Sequence, residues 1–315
     1  MFVTGSVGTT NTFRTRAFDA TSGTLEWSVP TMPVDPAVSG GKVYSVDRSG
    51  VLTAFDASTG AIAWSATVGT VSSAPVLSGG LVYAGGPKQS VYAYDASTGA
   101  LVWSVSESTD PASMYATPAI ANGVLYALSY PTTAVPVSTL RAYDASTGAP
   151  RWSKSIGTPA WAVAAAGGRL FLQCIEDVRA YDASDGTFLW SFFTGQNDTA
   201  SSTRPAIDGS TVFALVTGSS LYALDAATGT EKWHTAASAF NSPAVANGVV
   251  YTTAYGTSQP PPVGLAAYDA GTGTRLFFSA GPGSGSADVS PIVANGRVYV
   301  GGSDGNLYAY SLSGS

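Results

Sequence analysis

Residues 91–103 read VYAYDASTGALVW, and this stretch decides the architecture because close copies of it return along the chain. In each copy an apolar run ends in Ala-x-Asp, a turn closes with glycine, and an aromatic residue follows four positions later. The aspartates of the seven clear copies are Asp19, Asp56, Asp95, Asp144, Asp182, Asp225 and Asp269. A weaker eighth copy ends at residues 309–311. Successive aspartates stand 37 to 49 positions apart, which predicts a repeat protein whose units bury their faces against one another.

Each copy is accompanied by short runs that have the composition of β-strands. In the third copy these runs are 74–77, 81–84, 91–94 and 101–104, separated by turns rich in glycine, serine and proline. No stretch shows the three- and four-residue apolar spacing of an amphipathic helix. A period near 40 residues that is built from four short strands predicts the blades of a β-propeller.

Eight third-strand signatures predict an all-β, eight-bladed β-propeller of four-stranded antiparallel blades, forming one domain over residues 1–315. The first copy begins at a second strand and the last ends before a fourth. We therefore expect both terminal blades to be incomplete and the chain to be either monomeric or part of a longer parent chain. The predicted blades are 1–31, 32–70, 71–109, 110–157, 158–197, 198–237, 238–282 and 283–315.

The residues that the copies share have structural roles that require no further function. The turn glycine can adopt a positive φ, and the aspartate can accept backbone N–H bonds in the same turn. The aromatic residue after the glycine offers a large apolar surface that can pack against a small alanine of a neighbouring unit. These predicted blade-docking residues are Trp27, Trp64, Trp103, Trp152, Trp190, Trp233 and Phe277.

The repeat Ala-x-Asp-x-x-Thr-Gly-x-x-x-Trp resembles that of the quinoprotein-type (PQQ-like) β-propellers over nearly the whole chain. That family includes quinoprotein alcohol dehydrogenases, a non-catalytic propeller lipoprotein of outer-membrane assembly and sensor domains of bacterial kinases. In its enzymes, the resemblance implies a vicinal cysteine pair, an acidic and amide calcium set and a catalytic aspartate. Cys174 stands alone here, and no acidic cluster has the spacing of a calcium loop. We therefore expect no PQQ, no calcium or other metal site and no catalytic residue.

Composition narrows the choice of partners and compartment. Charged residues make up 11% of the chain and the net charge is −6, which disfavours nucleic acid and anionic membranes. No apolar stretch is long enough to span a bilayer, and from residues 1–3 we expect no signal peptide in this sequence. A surface rich in Ser, Thr and Gly favours an extracytoplasmic location. His234 reads as a solvated edge residue and Cys174 as an inert core thiol.

Positions at which the copies disagree are the candidates for specificity. The residues just before the inner-strand proline are small in the third copy but charged or large elsewhere, and they are expected to ring the channel mouth on one face. Two long connections, 126–144 and 251–269, are expected to open on that same face and carry Tyr130 and Tyr255. The candidate ligand-binding residues are Asp35, Tyr115, Tyr130, Trp161, Arg204, Phe240, Asn241, Tyr255 and Asp288.

The sequence thus favours a non-enzymatic binding or scaffold propeller that recognises a protein or glycan partner on this face. Trp161 is the leading candidate, because it is the one tryptophan outside the docking series. With aromatic neighbours and one arginine it would suit a sugar ring or a peptide side chain. The alternative is an enzyme. It would be either a quinoprotein-like enzyme or a carboxylate-based enzyme that uses Asp35 and Asp288.

Overall fold

Thirty β-strands make up the regular structure of the residues that a computed structural model of the chain describes. These residues are 1–7, 12–31, 35–47, 49–69, 73–108, 115–129, 137–195, 203–216, 219–237, 239, 241–255, 263–280, 290–301 and 306–311. Among them, no helix is long and apolar enough to cross a bilayer. The chain divides into two compact units, 1–163 and 164–315. The predicted single domain and the predicted blade limits stay predictions.

Consecutive strands pair antiparallel into separate sheets. The sheets in the first half are β1 (Phe2–Val7), β2 (Thr12–Phe18) and β3 (Leu25–Pro30); β4 (Ala37–Ser39), β5 (Lys42–Val46), β6 (Val51–Asp56) and β7 (Ile62–Thr67); β8 (Val76–Ser78), β9 (Leu81–Gly86), β10 (Ser90–Asp95) and β11 (Leu101–Ser106); β12 (Ala119–Ala121), β13 (Val124–Leu128), β14 (Thr139–Asp144) and β15 (Pro150–Ser155).

The same order continues along the rest of the chain. These sheets are β16 (Ala160–Ala166), β17 (Arg169–Cys174), β18 (Asp177–Asp182) and β19 (Phe188–Phe193); β20 (Ala206–Asp208), β21 (Thr211–Val216), β22 (Ser220–Asp225) and β23 (Glu231–Ala236); β24 (Ala244–Ala246), β25 (Val249–Tyr255), β26 (Val263–Asp269) and β27 (Arg275–Ala280); β28 (Ile292–Ala294), β29 (Arg297–Gly301) and β30 (Leu307–Ser311).

The number of blades differs from the prediction. Six sheets have four strands, whereas the first and the last have three. Thirty described strands suffice for seven four-stranded blades at most, so the prediction of eight is wrong for the part of the chain that the structure describes. The sequence count rested on the third-strand signature alone, and that signature occurs in an incomplete sheet as readily as in a complete one.

The aspartate of each copy organises the turn between the third and fourth strands. In the third sheet, Oδ1 of Asp95 accepts hydrogen bonds from the backbone N–H groups of Ser97 and Thr98 at 3.0 and 2.8 Å. The N–H of Gly99 donates to the carbonyl of Asp95, and Gly99 has a φ of +76°. The register shifts by one residue just before the aspartate, as a β-bulge. The predicted roles of aspartate and glycine are confirmed.

The docking tryptophan lies on this turn in the next sheet. Nε1 of Trp64, on β7, donates to the carbonyl of Ala96 at 3.1 Å, and its ring covers Gly99. The indole therefore packs on the glycine and bonds the backbone of the alanine, where the sequence had suggested packing against the alanine side chain. The same pairing joins Trp27 to Gly60, Trp103 to Gly148, Trp190 to Gly229, and Trp233 to Gly273.

Aromatic residues of the second strands reinforce this contact. The hydroxyl of Tyr44 donates to the same Ala96 carbonyl at 2.8 Å, so that one oxygen accepts two side-chain hydrogen bonds. Apolar residues of the facing sheets fill the space around it, including Leu52 and Val82, both fully buried. The core thus lies between adjacent sheets, which is what a repeat stacked face to face requires.

The last member of the predicted docking series differs from the others. Trp152, on β15, contacts the second-strand aromatic residue of its own sheet as Trp64 and Trp103 do, with its ring centroid 6.0 Å from that of Tyr126. Phe277, on β27, lies 6.1 Å from Tyr310 of the last sheet and keeps 39% of its surface exposed. A phenyl ring has no N–H to donate, so the last two sheets lack the indole hydrogen bond at this position.

We expect Gly99→Ala to destabilise the protein by more than backbone strain, because an added Cβ would lie 2.6 Å from Cδ2 of Trp64. Gly80→Ala is the matched control, since Gly80 has a φ of +79° but no atom within 4 Å of its Cβ position. The left-handed conformation should cost the control about 1–2 kcal/mol, and the clash should cost Gly99→Ala about 1–3 kcal/mol more. Equal losses of unfolding free energy in urea would contradict the packing of Trp64 on this turn.

The aspartate turns should make stability fall at acid pH. Hydrogen bonds from Ser58 and Thr59 lower the pKa of Asp56 to about 2, and Asp95 is shifted in the same way. Because the folded-state pKa lies below the unfolded one, this stabilisation is complete above about pH 4 and is lost as the pH falls towards 2. NMR titration should find both pKa values near 2. Asp56→Asn, which does not titrate, should flatten the fall in melting temperature, and an unchanged slope would contradict the assignment.

Candidate functional site

The predicted site residues are distributed over both units. The first unit contains Asp35, Tyr115 and Trp161, and the second contains Arg204, Asn241 and Tyr255. Of Tyr255 only the backbone is described, at the end of β25. Tyr130, Phe240 and Asp288 lie outside the described residues.

In the first unit, the connection from β13 to β14 is closed at its base by backbone pairing. Tyr115 forms an isolated antiparallel bridge with Ser129, the residue after β13. Ser129 donates its N–H to the carbonyl of Thr139 at 2.9 Å, and its Oγ accepts from the N–H of Thr139 at 2.8 Å. These bonds join the segment that leads into β12 to both ends of the connection.

Ser138 ties the same connection to the start of β16. Its hydroxyl is buried, accepts from the N–H of Ala160 at 3.0 Å and donates to the Ala160 carbonyl at 3.2 Å. Trp161, the next residue, is half-buried. Tyr115 and Trp161 are therefore linked to the same loop base, whereas the exposed Asp35 precedes β4, two sheets earlier.

The side chain of Tyr115 is part of the buried core of this region, since only 1% of its surface is exposed. Its hydroxyl lies 3.3 Å from that of Tyr143, which donates to Oε1 of Glu107 at 2.8 Å. Burial raises the pKa of Tyr115 and, with the added effect of Tyr115 and Glu107, that of Tyr143. Both phenols therefore stay protonated at neutral pH and hold hydrogen bonds. A ligand could not stack on the buried Tyr115 ring.

Arg141 completes this cluster, which sequence reasoning missed. On β14, its Nη1 donates to the Tyr115 hydroxyl and to Oε1 of Gln89, both at 3.1 Å. The guanidinium carbon lies 6.0 Å from the centroid of the Tyr115 ring. Arg16 and Arg179 also occupy this position in their copies, so comparing the copies would not have singled out Arg141. Gln89, Glu107, Tyr115, Arg141 and Tyr143 are called the Arg141 cluster below.

The second long connection, from β25 to β26, has a similar base in the second unit. An isolated bridge pairs Ala239 with Ala254, and Nδ2 of Asn241 donates to Oγ1 of Thr253 at 2.9 Å. The backbone N–H of Arg204 donates to Oγ of Ser242 at 2.8 Å, so Arg204 and Asn241 are neighbours at this end of their sheets. Both long connections thus start from a closed backbone pairing.

The residue types that most often bind metals are dispersed in the part of the chain that the structure describes. Within them, no group of three or more His, Cys, Asp or Glu side chains is placed to hold a metal ion. Cys174 is buried, and burial raises the pKa of its thiol. His234 lies exposed on β23, where Nδ1 is 2.7 Å from Oε1 of Glu231.

Comparison with known proteins places this fold. The family model described as outer membrane protein assembly factor BamB matches residues 12–162, 116–219 and 175–315. Among solved structures, BamB from Moraxella catarrhalis is 21% identical over 80% of this chain and 76% of that chain, with a TM-score of 0.64. No curated protein matches the sequence.

Two further solved structures share the fold at lower identity. The computationally designed Ika8 protein has a TM-score of 0.75 at 13% identity, over 98% of this chain and 96% of that chain. The quinohemoprotein alcohol dehydrogenase from Comamonas testosteroni has a TM-score of 0.68 at 15% identity, over 91% of this chain and 67% of that chain. The chain is an all-β β-propeller of four-stranded antiparallel blades. Because the family model matches most of its length, it belongs to the PQQ-like β-propeller family represented by BamB.

Proposed function

We propose that this protein is a non-enzymatic binding or scaffold propeller that recognises a protein partner at the strand ends near Tyr115 and Trp161. The observation that carries the proposal is the hydrogen-bonded base of the connection between β13 and β14. It joins Tyr115, Ser138 and Ala160, and so anchors three connecting segments to rigid sheets. Binding residues are commonly held on connections that a rigid scaffold positions.

The chemistry of this end favours a protein over a glycan. Trp, Tyr and Arg are the residue types that dominate protein–protein interfaces, because each combines a large contact area with directed hydrogen bonds. At this end, Trp161 and Arg141 are the residues of these types that we propose contact the partner, and we propose binding roles for Asp35, Arg204 and Asn241 as well. The argument uses no side-chain contact of the four remaining candidates, which are Tyr130, Phe240, Tyr255 and Asp288.

The family supports the same direction. Its model is described as an outer membrane protein assembly factor, a description that suits a scaffold outside the cytoplasm. We extend this to a protein partner and an extracytoplasmic location for the present chain. The net charge of −6 adds an argument against nucleic acid, which would require a basic surface.

Photo-crosslinking from the site tests the proposal. p-Benzoylphenylalanine in place of Trp161 should capture a protein partner, whereas the same group in place of exposed Ala100, on an aspartate turn, should not. With the captured partner purified, Trp161→Ala should weaken binding at least about 10-fold, the usual loss for an aromatic hot spot, and leave the melting temperature unchanged. Capture from both positions, or an affinity that does not depend on Trp161, would overturn the proposed face.

The quinoprotein alternative has a separate test, motivated by the shared fold of the Comamonas testosteroni enzyme. The described residues contain no group of three or more His, Cys, Asp or Glu side chains placed to hold a metal ion, and we therefore expect PQQ with calcium to leave both tryptophan fluorescence and melting temperature unchanged. A bound quinone would quench nearby indoles and stabilise the folded state by mass action. Saturable quenching together with a rise in melting temperature would establish a cofactor site and overturn the non-enzymatic reading.

A further inference from the structure

We propose that Arg141 binds the carboxylate of an acidic side chain presented by a protein partner. The inference rests on the proposed function, because it gives the chemistry of one contact at the same end of the first unit. It goes beyond that function by naming the group recognised and the atoms that recognise it.

The guanidinium of Arg141 has one side engaged and one side open. Both of its hydrogen bonds leave from Nη1, to Gln89 and to Tyr115. Within the described residues, Nε and Nη2 donate no hydrogen bond. The Nε–Nη2 edge is one of the two that pair bidentately with a carboxylate, through two parallel N–H···O bonds. The side chain keeps 18% of its surface exposed, so the residue remains in contact with solvent while most of it is held by its surroundings.

Glu107 does not close the open edge. Its Oε2 lies 3.7 Å from Nε of Arg141, beyond hydrogen-bond distance, while its Oε1 accepts from the Tyr143 hydroxyl. The Tyr143 bond holds the Glu107 carboxylate at that separation. An incoming carboxylate would therefore make the direct bonds that Glu107 does not make.

A strained turn holds Gln89 and Glu107 around the cation. Lys88 and Gln89, between β9 and β10, have φ values of +60° and +49°, a region that residues with a Cβ seldom adopt. The carbonyl of Lys88 accepts from the N–H of Ser108 at 2.9 Å, and that of Gln89 from the N–H of Glu107 at 3.3 Å. Strain of this kind persists where the surrounding structure supports a functional geometry. The exposed Lys88 adds positive charge at the same turn.

Arg179 provides an internal comparison. It occupies the position in β18 that Arg141 occupies in β14, three residues before the aspartate of its copy. Its Nε donates to Oδ2 of Asp177 at 2.7 Å, so its own carboxylate already fills the edge that stays open in Arg141. Three copies carry an arginine at this third-strand position, Arg16, Arg141 and Arg179. Arg179 is paired with a carboxylate of its own strand, whereas the Nε–Nη2 edge of Arg141 donates no hydrogen bond to the described residues.

The neighbouring charge selects a carboxylate over a phosphate. Glu107 stands within 4 Å of the guanidinium, so a ligand with a single negative charge meets less repulsion than a doubly charged phosphate. The overall charge of −6 also disfavours polyanions. A glutamate or aspartate of a protein partner fits both constraints.

The first measurement follows the Nε–H signal of Arg141 by NMR in the full chain, with the capped peptide acetyl-Gly-Glu-Gly-amide as the probe. The signal should shift saturably, while the signal of Arg179 stays in place. The Gln version of the peptide should bind at least about 10-fold more weakly, because it cannot make the charge-assisted pair. Inorganic phosphate should also bind more weakly. Equal binding of the Glu and Gln peptides, or tighter binding of phosphate, would overturn the proposal.

Two variants separate binding from a structural ion pair. Arg141→Lys keeps the charge but loses the planar fork, and should weaken the Glu peptide about 10-fold. Glu107→Gln removes the charge of the nearby carboxylate and should strengthen binding of the Glu peptide several-fold. If Arg141 only joined the sheets, both variants would lower the melting temperature and leave peptide affinity unchanged. Partner capture at Trp161 without a response to the Glu peptide would retain the proposed function and reject this contact. A response to the Glu peptide without partner capture at Trp161 would retain this contact and reject the proposed face.

Discussion

The hydrogen bond from a docking indole to the alanine carbonyl of the next aspartate turn is the contact on which the sheets depend. It requires three things at once. The glycine must have no side chain, because the indole lies on it at Gly60, Gly99 and Gly148. The aspartate must hold the turn so that the alanine carbonyl faces outward, and a bulge must set the register. A change in any of these would uncouple one sheet from the next, which explains why they recur together.

The candidate site lies beside this framework and shares part of it. Arg141 and Tyr143 precede the aspartate of their own turn, Asp144, by three residues and one residue, and Tyr115 and Tyr143 belong to the same buried core as the docking residue Trp103. Rigid sheets hold these groups in place, so that a partly buried arginine can keep an open edge at small cost in side-chain entropy when it binds. Function in this protein is thus proposed at groups that the packing of the repeat holds in place.

Among the predicted site residues, Trp161 and Tyr115 illustrate how far internal comparison reaches. The comparison drew attention to both as departures from the repeat, and the structure links both to one loop base. It could not reveal that Tyr115 is buried beneath the surface, since burial depends on the strand register and on Arg141 and Tyr143. The blade count failed for a related reason: a signature in one strand carries no information about how many partners that strand has.

By itself, the sequence determined the all-β repeat, the aspartate–glycine turns and the aromatic docking series, because these are local patterns repeated at a regular period. Only the tertiary structure decided which side chains meet across sheets. Gln89, Glu107 and Tyr115 reach Arg141 from separate segments, at separations in sequence of 26 to 52 residues for its two hydrogen bonds. No local pattern encodes such a meeting, because it follows from how one sheet packs on the next.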